Sequence, residues 1–248
     1  MNVGHFALPV IAGILAATGR FSDAAESSPA FDAFKKGRAH EANGELDRAL
    51  ASYSEAIRLE PQRAISHSFR GGVYERQGKT QEAFADYTEA IRLDSTCIAA
   101  YMGRARIFYG KHDFDSAIAD YTRAIRLDPK SAARYAARGV CFKEKGDLIK
   151  AIADLTEAIT LDPKNAAAIN TRGRAYRDVG DYDKAIADYT RLIQLNPEDP
   201  TAFASRSIAY AKKGDKEKAD ADTKQFMQLI SKRKPGSAPA PKTAGAER

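Results

Sequence analysis

The stretch GDYDKAIADYTRLIQLNPED, Gly180 to Asp199, decides the fold because the chain repeats it. Related stretches begin at Gly44, Gly78, His112, Gly146 and Gly214, with starts spaced 34 residues apart along the series. A fixed period of this length is how a stacked array of small units is written in a sequence. Such an array presents a long surface and does not by itself assemble a catalytic pocket.

With the register set by the prolines, the units run over 30–63, 64–97, 98–131, 132–165, 166–199 and 200–233. Position 20 is Ala in every unit, from Ala49 to Ala219, and position 30 is always Leu, from Leu59 to Leu229. Position 24 is Tyr at Tyr53, Tyr87, Tyr121 and Tyr189, with Leu155 and Thr223 in the remaining two. Positions 20, 24, 27 and 28 share one face at helical spacing, so the second half of a unit is an amphipathic helix. Its Ala is a notch that lets another helix approach closely. The first half also reads as helix, with Tyr101, Ala105 and Phe108, or Tyr135, Gly139 and Phe142, at positions 4, 8 and 11. A Gly between the halves suits the left-handed turn that closes a helix; His112 stands there in the third unit and tolerates that backbone better than most residues. The Asp that follows, at Asp113, Asp147, Asp181 and Asp215, is placed to cap the next helix. Pro61, Pro129, Pro163 and Pro197 end the second helix, because proline disfavours helix in the residue before it.

Helix, tight turn, helix and proline at this period resembles the tetratricopeptide repeat. Residues 132–165 carry Gly139, Phe142, Ala151, Leu155, Ala158 and Pro163 at that family's positions. Residues 166–199 carry Gly173, Tyr176, Ala185, Tyr189, Leu192 and Pro197. The end units depart most: Ala33 and His40 replace aromatics, and Asp220, Thr223 and Ser231 interrupt the sixth. Terminal units show one face to water, so weaker matches are expected there. The resemblance implies an all-α, right-handed superhelical solenoid of helix-turn-helix repeats over 30–233.

One departure is regular. Where the family usually has Leu at position 7, this chain has Arg70, Arg104, Arg138, Arg172 and Arg206. Position 23 carries Asp in the same units: Asp86, Asp120, Asp154, Asp188 and Asp222. A guanidinium at a packing position needs a carboxylate, which it meets with two parallel hydrogen bonds. The pattern predicts a structural ladder of Arg–Asp pairs. Pairing within each unit is the first reading; pairing of each Asp with the Arg of the following unit is the alternative.

In the resembling family, positions 5, 9, 12 and 13 of successive first helices line a concave face. Here they place Phe34, Arg38, Arg76, Met102, Arg106, Tyr109, Lys143, Asn170, Arg174, Arg177 and Ile208 as the candidate peptide-binding groove. Cations outnumber the acidic members Glu41, Glu75, Glu144 and Asp178. The expected ligand is therefore a protein or peptide segment carrying acidic residues, held by Arg forks and apolar anchors. The Lys and Asn clamp with which part of the family grips a C-terminal carboxylate is absent.

The net charge of +6 is uneven. Residues 231–248 contribute +4, leaving +2 for 1–230. The segment 234–248 reads as a flexible, basic, Pro- and Ala-rich tail. Action through that tail on a membrane or a nucleic acid is the rival reading, with nucleic acid the weaker partner and membrane contact open through tail or leader. Phe6 to Gly19 is an apolar run of 14 residues, short of the roughly 20 that span a bilayer. Together with Ser22-Asp23-Ala24 or Asp23-Ala24-Ala25 as cleavage site, it makes 1–25 a candidate signal peptide and the protein a periplasmic or envelope one. Against that stand the missing Lys and Arg of its first five residues; an apolar helix capping the array of a cytoplasmic protein is the alternative.

Chemistry is sparse. His40 and His67 fall on packing positions and His112 on a turn, and no Cys-x-x-Cys or His-Glu-x-x-His spacing occurs. Cys97 and Cys141 lie more than a unit apart and are not expected to pair. No phosphate-binding or dinucleotide-binding glycine pattern is present. Neither a cofactor nor a small-molecule substrate is implied, and no residues remain for a catalytic domain. The expectation is a non-catalytic interaction scaffold.

Overall fold

The computed structural model describes residues 28–232. The leader assigned to 1–25 and the tail assigned to 234–248 lie outside the described residues. Those described form twelve α-helices and no strand. In order they are α1 (Pro29–Ala42), α2 (Leu46–Leu59), α3 (Ala64–Arg76), α4 (Thr80–Leu93), α5 (Ile98–Gly110) and α6 (Phe114–Leu127), then α7 (Ala132–Lys145), α8 (Leu148–Leu161), α9 (Ala166–Asp178), α10 (Tyr182–Leu195), α11 (Pro200–Lys213) and α12 (Lys216–Lys232). The chain divides into two compact units, 28–104 and 105–232.

Local chemistry sets the helix ends. The turns within the helix pairs pass through positive φ at Gly44 (77°), Gly78 (76°), Gly146 (88°), Gly180 (84°) and Gly214 (93°). His112 adopts the same left-handed backbone at 61°, despite its Cβ. The next helix is then capped: Asp147, Asp181 and Asp215 accept from the backbone N–H of Lys150, Lys184 and Lys218, each at 3.2 Å. At the far end of α8, Asp162 is extended (φ −135°), as the residue before Pro163 should be.

Each helix pair buries a narrow stripe. In the first unit Ala49, Tyr53 and Ala56 of α2 are all fully buried. The two Ala residues let α1 close in, so that Gly37 lies directly over the Tyr53 ring. Phe69 and Val73 of α3 cover the other side. Phe34 belongs to this core rather than to an open groove wall. It is 7% exposed, with its ring 5.1 Å from Phe69 and 5.6 Å from Tyr53. Ala33 occupies the position where later repeats carry Tyr101, Tyr135 or Phe203, and here the ring in the core comes from the neighbouring Phe34.

In the second unit the same stripe is Ala151, Leu155 and Ala158 of α8, with Ile169 of α9 and Tyr135, Phe142 and Leu192 around it. Ala185 and Tyr189 of α10 repeat it against Ala209 of α11. Within each unit, packing is therefore between chain neighbours, as repeats pack on adjacent repeats.

The contact under Tyr53 makes a sharp test. A Cβ on Gly37 would sit 2.6 Å from two ring carbons of a side chain with nowhere to move. Gly37→Ala is expected to lower the unfolding free energy by about 1–3 kcal/mol, read from urea denaturation. Gly72→Ala, whose nearest neighbour would be Tyr87 Oη at 3.7 Å, should be neutral or stabilising, since Ala is the better helix former.

Candidate functional site

The position-7 arginines are held in a fixed frame. Arg70 Nε and Nη2 donate to the two oxygens of Asp86, each at 2.8 Å. Arg138 meets Asp154 at 2.7 and 2.8 Å, Arg172 meets Asp188 at 2.9 and 2.7 Å, and Arg206 meets Asp222 at 2.8 Å twice. In all four pairs the partners belong to one repeat. The third donor, Nη1, reaches back to a hydroxyl of the preceding repeat. Its acceptors are Ser54 for Arg70, Thr122 for Arg138, Thr156 for Arg172 and Thr190 for Arg206, at 3.0–3.2 Å. The guanidinium faces lie among rings: Arg138 is 5.9 Å from Tyr135 and 5.8 Å from Phe142, and Arg206 is 5.8 Å from both Phe203 and Tyr210. Arg104 lies 6.0 Å from the Tyr101 ring, and Asp120 is buried.

The hydroxyl tie was not singled out in the sequence, although Ser54, Thr88, Thr122, Thr156 and Thr190 recur in register there. His67 packs and also joins the ladder. Its Nδ1 lies 3.3 Å from Asp86 Oδ1 and its Nε2 lies 3.1 Å from the Pro61 carbonyl, so it extends the Arg70–Asp86 pair. Burial alone would raise the Asp86 carboxyl; hydrogen bonds from Arg70 and His67 outweigh it and hold the group below the usual range.

The candidate groove residues divide between the two units. In the first, Arg38 is half-buried with its guanidinium 5.5 Å from the Phe69 ring, while Arg76 is exposed and donates to Glu41 at 3.3 Å. Met102 is half-buried, and Phe34 is core. In the second unit Arg106, Asn170 and Arg174 are exposed, and Ile208 is 48% exposed. Arg177 is half-buried and pairs with Asp178 at 3.0 Å. Lys143 lies largely covered beside Glu144 at 3.2 Å, and Tyr109 packs its ring 5.7 Å from Phe114. Arg174 and Ile208 hold the same register position on α9 and α11, so successive first helices offer a cation and a bare aliphatic group.

Neither cysteine is an activated thiol. Burial raises Cys97, and it pushes Cys141 up to about 12. Among the described residues no group of three His, Cys, Asp or Glu is placed to hold a metal ion, and no helix is long and apolar enough to cross a membrane.

Comparisons with known proteins bear on this arrangement. A "Tetratricopeptide repeat" family description matches residues 34–96 and 102–166, a second of the same name matches 155–187, and "TPR repeat" matches 173–214. No curated protein matches the sequence. Solved structures with the same fold include YrrB, described as a TPR protein with an unusual peptide-binding site (20% identity, 73% of this chain and 93% of that one, TM-score 0.67). Others are MamA (23% identity, 69% and 94%, TM-score 0.66) and PilF of Pseudomonas aeruginosa (14% identity, 82% and 93%, TM-score 0.69).

Two measurements check the ladder. Asp154→Ala strands Arg138 between two rings and should destabilise by about 3–5 kcal/mol, whereas the exposed change Glu157→Ala should leave the melting temperature nearly unchanged. For Asp86 the expectation concerns pH. Its folded value is depressed, so its contribution is complete above the ordinary carboxylate value of about 4 and is lost as pH falls through the folded value. The stability difference between wild type and Asp86→Asn should be full at neutral pH and should close in strong acid.

Proposed function

Because the chain belongs to the tetratricopeptide-repeat family, we propose that it is a non-catalytic interaction scaffold that binds an acidic peptide segment of a partner protein. The first helices of the second unit would carry the contact. One observation supports this most: Arg174 and Ile208 stand exposed at one register position on successive first helices. A core has no use for either group there. An Arg beside an aliphatic anchor fits a ligand that supplies both a carboxylate and an apolar side chain. The peptide-binding site ascribed to the YrrB structure is consistent with such a use of the fold.

Charge reversal tests the proposal. The triple variant Arg106→Glu, Arg174→Glu, Arg177→Glu changes residues that are exposed or half-buried, so it should keep the wild-type melting temperature within a few degrees. Proteins captured by immobilised wild type should be lost on the variant, and wild-type capture should weaken with added salt. Capture that is equal on both forms would remove this surface from the function.

A further inference from the structure

Where register position 24 is a tyrosine, it places a hydroxyl deep in the stripe, and the group at register position 12 above it changes along the chain. In the first unit Tyr53 Oη donates to Glu41 at 2.9 Å and Tyr87 Oη donates to Glu75 at 2.8 Å. Each Glu lies at register position 12 of its own repeat. Glu41 also accepts from Arg76, at position 13 of the next repeat. The charge of Arg38, at position 9, acts on the same phenol. A carboxylate here thus meets one hydroxyl at its floor and cations at its sides. Tyr53 is fully buried, yet the Glu41 side chain is 22% exposed. The notch therefore opens to solvent at the level of the carboxylate.

The fifth repeat rebuilds this notch without its acid. Tyr189 is fully buried and its Oη has no hydrogen-bond partner. Position 12 is now Arg177. Arg174 stands at position 9, as Arg38 does, and Lys212 stands at position 13 of the next repeat, as Arg76 does. Both are exposed and, among the described residues, neither forms an ion pair or a hydrogen bond. Arg177 places Nε and Nη2 on Asp178 Oδ1, at 3.3 and 3.0 Å, which leaves Nη1 over. Burial raises the Tyr189 phenol; the charges of Arg177 and Arg174 oppose that, and those of Asp178 and Asp188 add to it. Asp188 is already committed to Arg172. A buried donor lacking an acceptor is destabilising, and here two cations, Arg177 and Arg174, act on it, with Lys212 assigned to the same notch by register.

We infer that Tyr189, Arg174, Arg177 and Lys212 form a subsite for one carboxylate of a bound peptide, in the place that Glu41 and Glu75 fill in the first unit. This rests on the groove reading above and specifies what the groove grips at this point. Tyr189 Oη donates to one carboxylate oxygen, and the guanidinium and ammonium groups neutralise the other. The carboxylate comes from an Asp or Glu side chain or from a chain terminus.

The test uses the full chain and two fluorescein-labelled probes followed by anisotropy at low ionic strength: hexaglutamate with an amidated C-terminus, and a Gly-Ser pentapeptide with a free one. Tyr189→Phe should weaken whichever probe binds by about tenfold, the usual effect of losing a hydrogen bond to a charged group. Its melting temperature should equal or exceed that of wild type, because the hydroxyl removed had no partner; Tyr53→Phe, which strips Glu41 of a donor, should melt lower. Preference for hexaglutamate assigns the subsite to side-chain carboxylates, and preference for the pentapeptide assigns it to a terminus. Wild-type affinity in Tyr189→Phe, or no binding of either probe by wild type, overturns the subsite. If the Arg106, Arg174, Arg177 triple variant loses a probe that Tyr189→Phe retains, the groove stands and the subsite falls. If both variants retain it, the groove reading falls as well.

Discussion

Everything in the stack depends on how an arginine is housed at a position built for an apolar residue. Taking a guanidinium out of water is expensive, and an ion pair alone often fails to recover the loss. Here Arg138 directs three donors at fixed acceptors, two on Asp154 and one on Thr122, and lays its faces near Tyr135 and Phe142. The carboxylate lies in the arginine's own repeat and the hydroxyl in the one before, so the group reports the alignment of two neighbours. A leucine in the same place would accept several alignments. In a chain whose repeats are nearly interchangeable, and whose interfaces are largely Ala against aromatic rings, such a directional tie guards against slipped packing.

The second constraint is close approach. The buried Ala residues and the position-8 glycines bring helices together until a tyrosine ring is fixed between them; a Cβ on Gly173 would sit 2.9 Å from the Tyr189 ring. Rings held this firmly aim their hydroxyls at one spot. What stands at that spot is set by position 12, which contributes nothing to the stripe and is open to change. In the proposed subsite, core and groove meet in one side chain: the ring of Tyr189 packs in the stripe and its buried oxygen is the donor offered to the ligand.

Much of this was legible in the residues. The period, the Gly turns, the Asp caps and the proline stops follow from backbone preferences, and His112 keeps the left-handed turn that its repeat register demands. Recurrence of Arg at position 7 with Asp at position 23 was enough to predict a pair, because a buried cation has few other solutions. The rest depended on three-dimensional reach. That Arg138 would span to Thr122 of the preceding repeat requires knowing how far one repeat lies from the next. That Phe34 would pack in the core goes with the small Ala33 at the neighbouring position. The Tyr53–Glu41 bond crosses between helices of one pair, and no local preference records it. Register alone, by contrast, does not distinguish an exposed Arg174 from a largely covered Lys143.

The last three repeats treat this spot in three ways. In the fourth, the position-12 residue is Lys143 and the position-24 residue is Leu155, so a cation at the rim strands no hydroxyl beneath it. In the sixth, Ala211 faces Thr223, whose hydroxyl is satisfied by the Ala219 carbonyl and by Ser207 at 2.9 and 2.8 Å. In the fifth, Tyr189 meets Arg177 instead of an acid at position 12, and its buried hydroxyl is left unanswered. A fold that answers the tyrosine hydroxyl with its own acid at Glu41 and Glu75, and leaves Tyr189 unanswered where the charges of Arg174 and Arg177 act on it, suits the acceptor from outside the chain that the proposed subsite calls for.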